Sequence, residues 1–140
     1  NDVLRLADML AIDPNKIIVA TEEGDVTITG IMTTDTLVAE DVQTKKLTID
    51  DNVTTTDENE EEINAASVGT ATIPANETEI TVQTTAITED SRVFVTVRGD
   101  QAVDVTLTVT DVEKGACTVR IPEAKKDDVI FDWFVVRSAQ

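Results

Sequence analysis

The sequence predicts an all-β chain, with a stalk of short repeated strands (triple β-helix or β-prism like) followed by a small antiparallel β-sandwich head. Three observations carry this expectation. Apolar and polar residues alternate with period two through much of the second half, for instance Val93, Val95 and Val97 against Phe94, Thr96 and Arg98. Thr and Val, which suit pleated two-sided strands, dominate the composition. In the first fifty residues, apolar clusters recur about every ten residues with turn formers between them.

Residues 1–50 are expected to form the stalk. Their clusters are Val3-Leu4-Arg5-Leu6, Lys16-Ile17-Ile18-Val19, Val26-Thr27-Ile28, Leu37-Val38 and Leu47-Thr48-Ile49. Asp13-Pro14-Asn15, Glu23-Gly24-Asp25 and Gly30 punctuate them. Leu6, Met9 and Leu10 fall at helical spacing, so residues 6–12 are alternatively a turn or two of helix. Strands this short and sparsely apolar cannot close a core in one chain. They are expected to bury Ile17, Val26, Ile28, Leu37 and Leu47 against copies of the same chain along a shared axis.

Residues 51–66 are acidic and Thr-rich with almost no apolar anchor, and are expected to be a solvated linker. Residues 67–140 are expected to be the sandwich head. Its strands are read at Thr78–Val82, Arg92–Arg98, Ala102–Thr110, Ala116–Ile121 and Val129–Val136. The last is apolar on both faces except at Asp132, so it is expected at the centre of the head or at a subunit interface, with Phe131, Trp133 and Phe134 used for packing. Asp132 is expected at an edge or paired with Arg120 or Arg137. Pro74 and Pro122 sit at strand ends, where the missing N–H costs little.

Several motifs add a resemblance. They are Gly69-Thr70-Ala71-Thr72-Ile73-Pro74-Ala75, Thr78-Glu79-Ile80-Thr81-Val82, Ser91-Arg92-Val93-Phe94-Val95-Thr96, Cys117-Thr118-Val119-Arg120-Ile121 and Phe131-Asp132-Trp133-Phe134-Val135-Val136. Together they resemble a C-terminal β-sandwich module of bacterial surface proteins and phage-tail-like trimeric fibres. Gly24-Asp25-Val26-Thr27-Ile28-Thr29-Gly30-Ile31 is similar to the stalk repeat that precedes such modules. Asn76 stands where the module commonly has Gly, a benign change because Asn also tolerates positive φ. Cys117 and Phe134 replace two aromatics, and the loop before Val103 is short. The resemblance implies a structural, fibre-tip or appendage role with no catalytic residues to carry over.

Composition excludes much chemistry. The 140 residues include no His or Tyr, one Cys and one Trp. A Ser-His-Asp triad, a Cys-His dyad, a histidine metal or haem site and an internal disulfide are therefore impossible within one chain. A formal charge of −17 repels phosphate backbones and anionic lipid, so neither nucleic acid nor membrane insertion is expected. No apolar run approaches the eighteen or so residues of a membrane span. The chain opens at Asn1 without Met, as a processed form or fragment would, so a missing leader says nothing about secretion. The acidic, Thr-rich, Lys-poor composition points to an extracellular or cell-surface setting.

The remaining candidates have simpler explanations. The carboxylates of the acidic stretch, with Asp50, Asp51 and Asp57, could gather a Ca²⁺ ion, but the alternating spacing of a dedicated loop is missing, and no cofactor is expected. Arg98-Gly99-Asp100 reads as a hairpin turn between strands. A sugar-cleaving carboxylate pair would need aromatic platforms, and only three Phe and one Trp are present. Lys16, Lys45, Lys46, Lys114, Lys125 and Lys126 lie near turns or other charges, as exposed lysines do, so an isopeptide crosslink is not expected. The sequons at Asn52 and Asn76 arise easily by chance in a Thr-rich chain. The expected function is a non-catalytic structural or adhesive module of an extracellular fibre, self-associating as a homotrimer and facing a surface receptor or glycan. A filament or surface-layer subunit joined by strand complementation is the alternative, and a carbohydrate-binding sandwich the third reading.

Overall fold

A strand that is apolar at every second position needs a second layer to cover it, and Val129–Arg137 is where that layer closes. The computed structural model describes residues 30–100 and 104–138, and the backbone of 17–19 and 26–28. The chain divides into two units, Asn1–Lys45 and Lys46–Gln140. Among the described residues the structure is all β, with no α-helix.

In the first unit, β1 (Ile17–Val19) pairs antiparallel with β2 (Val26–Ile28), setting Ile17 opposite Ile28 and Val19 opposite Val26. The axial role expected of the Ile17, Val26 and Ile28 side chains lies outside the described residues. So do Val3–Leu6 and the helical alternative for residues 6–12. From Gly30 to Lys45 the chain has no strand partner among the described residues.

The second unit opens with β3 (Thr54–Thr56) and β4 (Glu62–Asn64), an antiparallel pair. The stretch expected to be a solvated linker thus contains a hairpin. Asp57 organises its loop: Oδ1 accepts from the Asn59 and Glu61 amides, each at 2.9 Å. The hairpin is anchored at its base, where Ala65 N donates to Val53 O, Asn64 Nδ2 to Gln83 O and Thr85 N to Asn64 O.

Next come β5 (Val68–Ile73), β6 (Glu79–Gln83), β7 (Ser91–Val97), β8 (Thr108–Glu113), β9 (Ala116–Arg120) and β10 (Val129–Arg137). They build two three-stranded antiparallel sheets, β5-β10-β7 and β6-β9-β8. One shared core joins them in a small β-sandwich arrangement: Ile73, Val129, Phe131, Trp133 and Val135 from the first sheet meet Val82, Cys117 and Val119 from the second, with Ile87 and Ile121. β10 is central in its sheet, as its apolar content requires.

Three strand expectations change. Val68–Ile73 was not expected as a strand and is one. The strand expected at Ala102–Thr110 begins only at Thr108. Val105 and Leu107 keep the alternation and pack partly against the core, but the ladder with β9 starts at the Thr108–Arg120 pair. Finally, Arg98-Gly99-Asp100 does not turn a hairpin: β7 and β8 lie in different sheets, so this segment crosses between layers, with Gly99 at φ +78°. The next hairpin along the chain is β8–β9, turned by Lys114-Gly115 with Gly115 at φ +86°. Asn76, at φ +66°, adopts the left-handed conformation its side chain tolerates.

Candidate interaction surfaces

The inward residues of β10 are core: Phe131 is 0% exposed and Trp133 is 4%. Its outward residues make a face of their own. Phe134 stands opposite Phe94 on β7, and they are 38% and 58% exposed, with Ile130 and Val136 exposed on the same side. Asp132 lies among them. Arg98 Nε donates to its carboxylate at 2.8 Å, and Thr70 Oγ1 on the other flanking strand donates to Oδ1 at 2.8 Å. These two hydrogen bonds, Arg98's first, hold the Asp132 carboxyl below the usual carboxylate range. The same pairing raises the Arg98 guanidinium.

The partners expected for Asp132 are therefore replaced. Arg120 instead pairs with Glu79 at 2.9 Å and with Asp111 at 3.5 Å, in the opposite sheet. The reason is strand order. Arg98 N donates to Ile130 O, which places Arg98 diagonally across from Asp132 on the outer face.

The second surface is the extended segment that begins at Gly30. Its backbone bends at Gly30, Asp35, Glu40 and Lys45, a regular step of five residues. Two residues after the first three bends stand Met32, Leu37 and Val42, which are 46%, 62% and 64% exposed. Leu47, 74% exposed, continues the series in the sequence of the second unit. This is the only position in the step that is apolar every time. Ile31, Val38 and Ile49 are also exposed. Leu37 and Leu47 were expected to be buried at an axis; among the described residues nothing covers them. Sequence reasoning had noticed those two ten residues apart and missed Met32 and Val42, which halve the spacing. The signal was present, but a period of five matches neither strand nor helix.

Asp50 accepts the Asn52 amide at 2.9 Å, and Asp57 is occupied with its own loop, so both carboxylates serve local turns. No group of three metal-ligating side chains gathers among the described residues. Asn52 and Asn76 are exposed, as are Lys45, Lys46, Lys114 and Lys126, while Lys125 is half-buried. Burial pushes the Cys117 thiol up, which keeps it protonated and inert. An open groove between β4, the end of β6 and the Lys114-Gly115 turn has Glu62, Asn64, Gln83, Thr85 and Lys114 among its lining residues. Comparison with protein-family models, curated proteins and solved structures gives no match.

Proposed function

We propose that the protein is a non-catalytic structural module of an extracellular fibre or appendage, in which three copies assemble through the N-terminal segment and carry the sandwich as a head. The observation that carries this reading is the series Met32, Leu37 and Val42, large apolar side chains exposed along a segment with no strand partner among the described residues. Burying such side chains stabilises by about 1.5–3 kcal/mol each through transfer from water alone. An extended segment presents two edges along which copies can pair. Three is the smallest ring of chains in which both edges of each chain face a different neighbour, leaving no edge open to further growth. The acidic surface suits an exposed, non-self-adhesive appendage and disfavours nucleic acid and anionic membrane.

The test is solution mass by sedimentation or light scattering. The expected result is three times the 15.2 kDa chain mass. Leu37→Asp should return the protein to single chains, because each copy would bring a charge into the shared interior. A single-chain mass for the unmutated protein sinks the proposal. An open distribution of masses would replace the closed trimer by a filament joined through strand complementation.

A further inference from the structure

The sheets of the sandwich end in β5 and β7 and in β6 and β8, whose outer edges have no ladder partner among the described residues. An unpaired edge is a template for another strand, and folded proteins guard it with charges, bulges or cover. β8 carries Asp111 and Glu113, and its ladder is irregular between Thr110 and Glu113. β7 carries Arg92, with Arg98 directly after it. β6 carries Glu79, and Asn64 Nδ2 donates to the carbonyl of its last residue, Gln83. β5 is different. Its six residues, Val68-Gly69-Thr70-Ala71-Thr72-Ile73, hold no charge and no Pro, and its ladder with β10 is regular. Pro74 lies only beyond its end. We infer that β5 is a docking edge for a second copy of this chain. The β5 strands of two copies pair antiparallel about a twofold axis at Thr70 and join their sheets edge to edge. This contact lies in the second unit and does not rest on the N-terminal association proposed above.

The register follows from the ladder. Val135 N donates to Ser67 O, so Gly69, Ala71 and Ile73, in alternation with Ser67, direct their backbone groups at β10. The N–H and C=O groups of Val68, Thr70 and Thr72 therefore point to the open edge. About Thr70 these residues match themselves: Thr70 meets Thr70, Val68 meets Thr72, and each outward donor meets an acceptor. Charge selects the same occupant. Copies of a chain carrying −17 repel one another, and a twofold contact brings each edge toward its own copy. Such a contact would gather Asp111 and Glu113 along β8, or Arg92 along β7, whereas β5 has no charge to gather. The acid nearest its outer face is Asp132, opposite Thr70 on β10, and Arg98 holds it at 2.8 Å. The joined outer row thus runs Arg98, Asp132, Thr70 and then the same residues in reverse, each acid beside its own cation. So short an edge buries less than the roughly 1,000 Å² of a durable interface, so the contact forms on concentration and is absent in dilute protein.

The test uses the full chain at rising concentration, with solution mass by sedimentation and amide exchange by NMR on the same samples. The mass should rise above its dilute value. Exchange should slow at Val68, Thr70 and Thr72. It should stay at its dilute rate at Val93, Val95 and Val97, the outward amides of β7, whose even-numbered residues bond to β10 as Arg98 does. Thr72→Lys places a charge on the outer side of the edge and should abolish both the rise and the slowing. Thr72→Ser should behave as the unmutated chain, and the emission of buried Trp133 checks that both variants are folded. Constant mass and exchange at every concentration overturn the inference. So does a rise in mass with slowing at β7 and not at β5, or an equal rise in folded Thr72→Lys. Slow exchange at the β5 amides already in dilute protein would mean that another segment covers the edge, which also overturns it. A dilute mass of one chain sinks the N-terminal trimer alone. If that single chain still associates on concentration with slowing at β5, the edge contact stands.

Discussion

Phe131 and Leu37 are large apolar side chains with opposite fates. Phe131 is fully buried and Leu37 is 62% exposed. The difference lies in what stands opposite. β10 is flanked by β5 and β7, and its inner side chains meet a second sheet at the spacing that two layers allow. Among the described residues the segment from Gly30 to Lys45 has no flanking strand and no second layer, and the same kind of side chain is exposed there. The sandwich closes its own core, whereas the described part of the extended segment leaves its apolar side chains exposed.

The largest expected effect tests that contrast directly. Phe131→Ala should cost about 3–5 kcal/mol through lost transfer energy and the cavity left behind. Trp133, the sole tryptophan, is buried in the same core and reports on the sandwich alone. Leu37→Ala should leave the denaturant midpoint of its fluorescence unchanged in unassembled protein, because Leu37 has no core to leave. A shift of similar size in both variants would show that the two regions are not energetically separate.

A smaller effect probes how tightly the sandwich is closed. Gly69 on β5 stands opposite Trp133, and a Cβ added there would lie 2.5 Å from Trp133 Cζ2 and 2.8 Å from Cε2. Gly69→Ala should destabilise by about 1–3 kcal/mol, as overpacking does. In a Trp133→Leu background, read by circular dichroism, most of that penalty should disappear, since the clashing ring atoms are gone. Equal penalties in both backgrounds would place the strain in the backbone instead.

The same pair explains part of what the sequence could and could not say. β7, β9 and β10 were legible because each carries its own apolar face. β5 was not, because Gly69 and Ala71 are small where Trp133 and Phe131 of the neighbouring strand fill the space. Its inward face is defined by a partner's side chains, which no local pattern records. The β3–β4 hairpin was hidden for a related reason: Asp57 and backbone hydrogen bonds hold it, and hydropathy is blind to both. Strict alternation through Val105, Leu107 and Val109 gave the right faces but too long a strand, because a ladder also needs a neighbour. Of the candidate surfaces, the outward face of β10 was read as an interface possibility through Phe134. The partner of Asp132 was missed, since pairing with Arg98 depends on β7 lying beside β10.

The smallest effect concerns that pair, and its sign follows from the direction of the Asp132 shift. The carboxyl is held low by Arg98 and then Thr70. A folded value below the unfolded value of about 4 means that folding favours the ionised form. Its contribution to stability is therefore present above about pH 4 and is lost as pH falls through the lower, folded value. The side chains of Arg98 and Asp132 are 59% and 43% exposed, so solvent screens the pair and the effect is slight. Asp132→Asn should lower the melting temperature a little at neutral pH. The gap should narrow in concentrated salt and close in acid, where the native carboxyl is also uncharged. This change belongs to the sandwich and should appear in the Trp133 transition, while the mass of the assembly stays the same. A gap that persisted undiminished in acid would mean that Asn disturbs the outer face by shape, through Thr70 or the neighbouring Phe134, and not by loss of charge. Loss of assembly in Asp132→Asn would instead place the outer face of β10 within the interface between copies, and would end the separation between a self-sufficient head and an assembling segment.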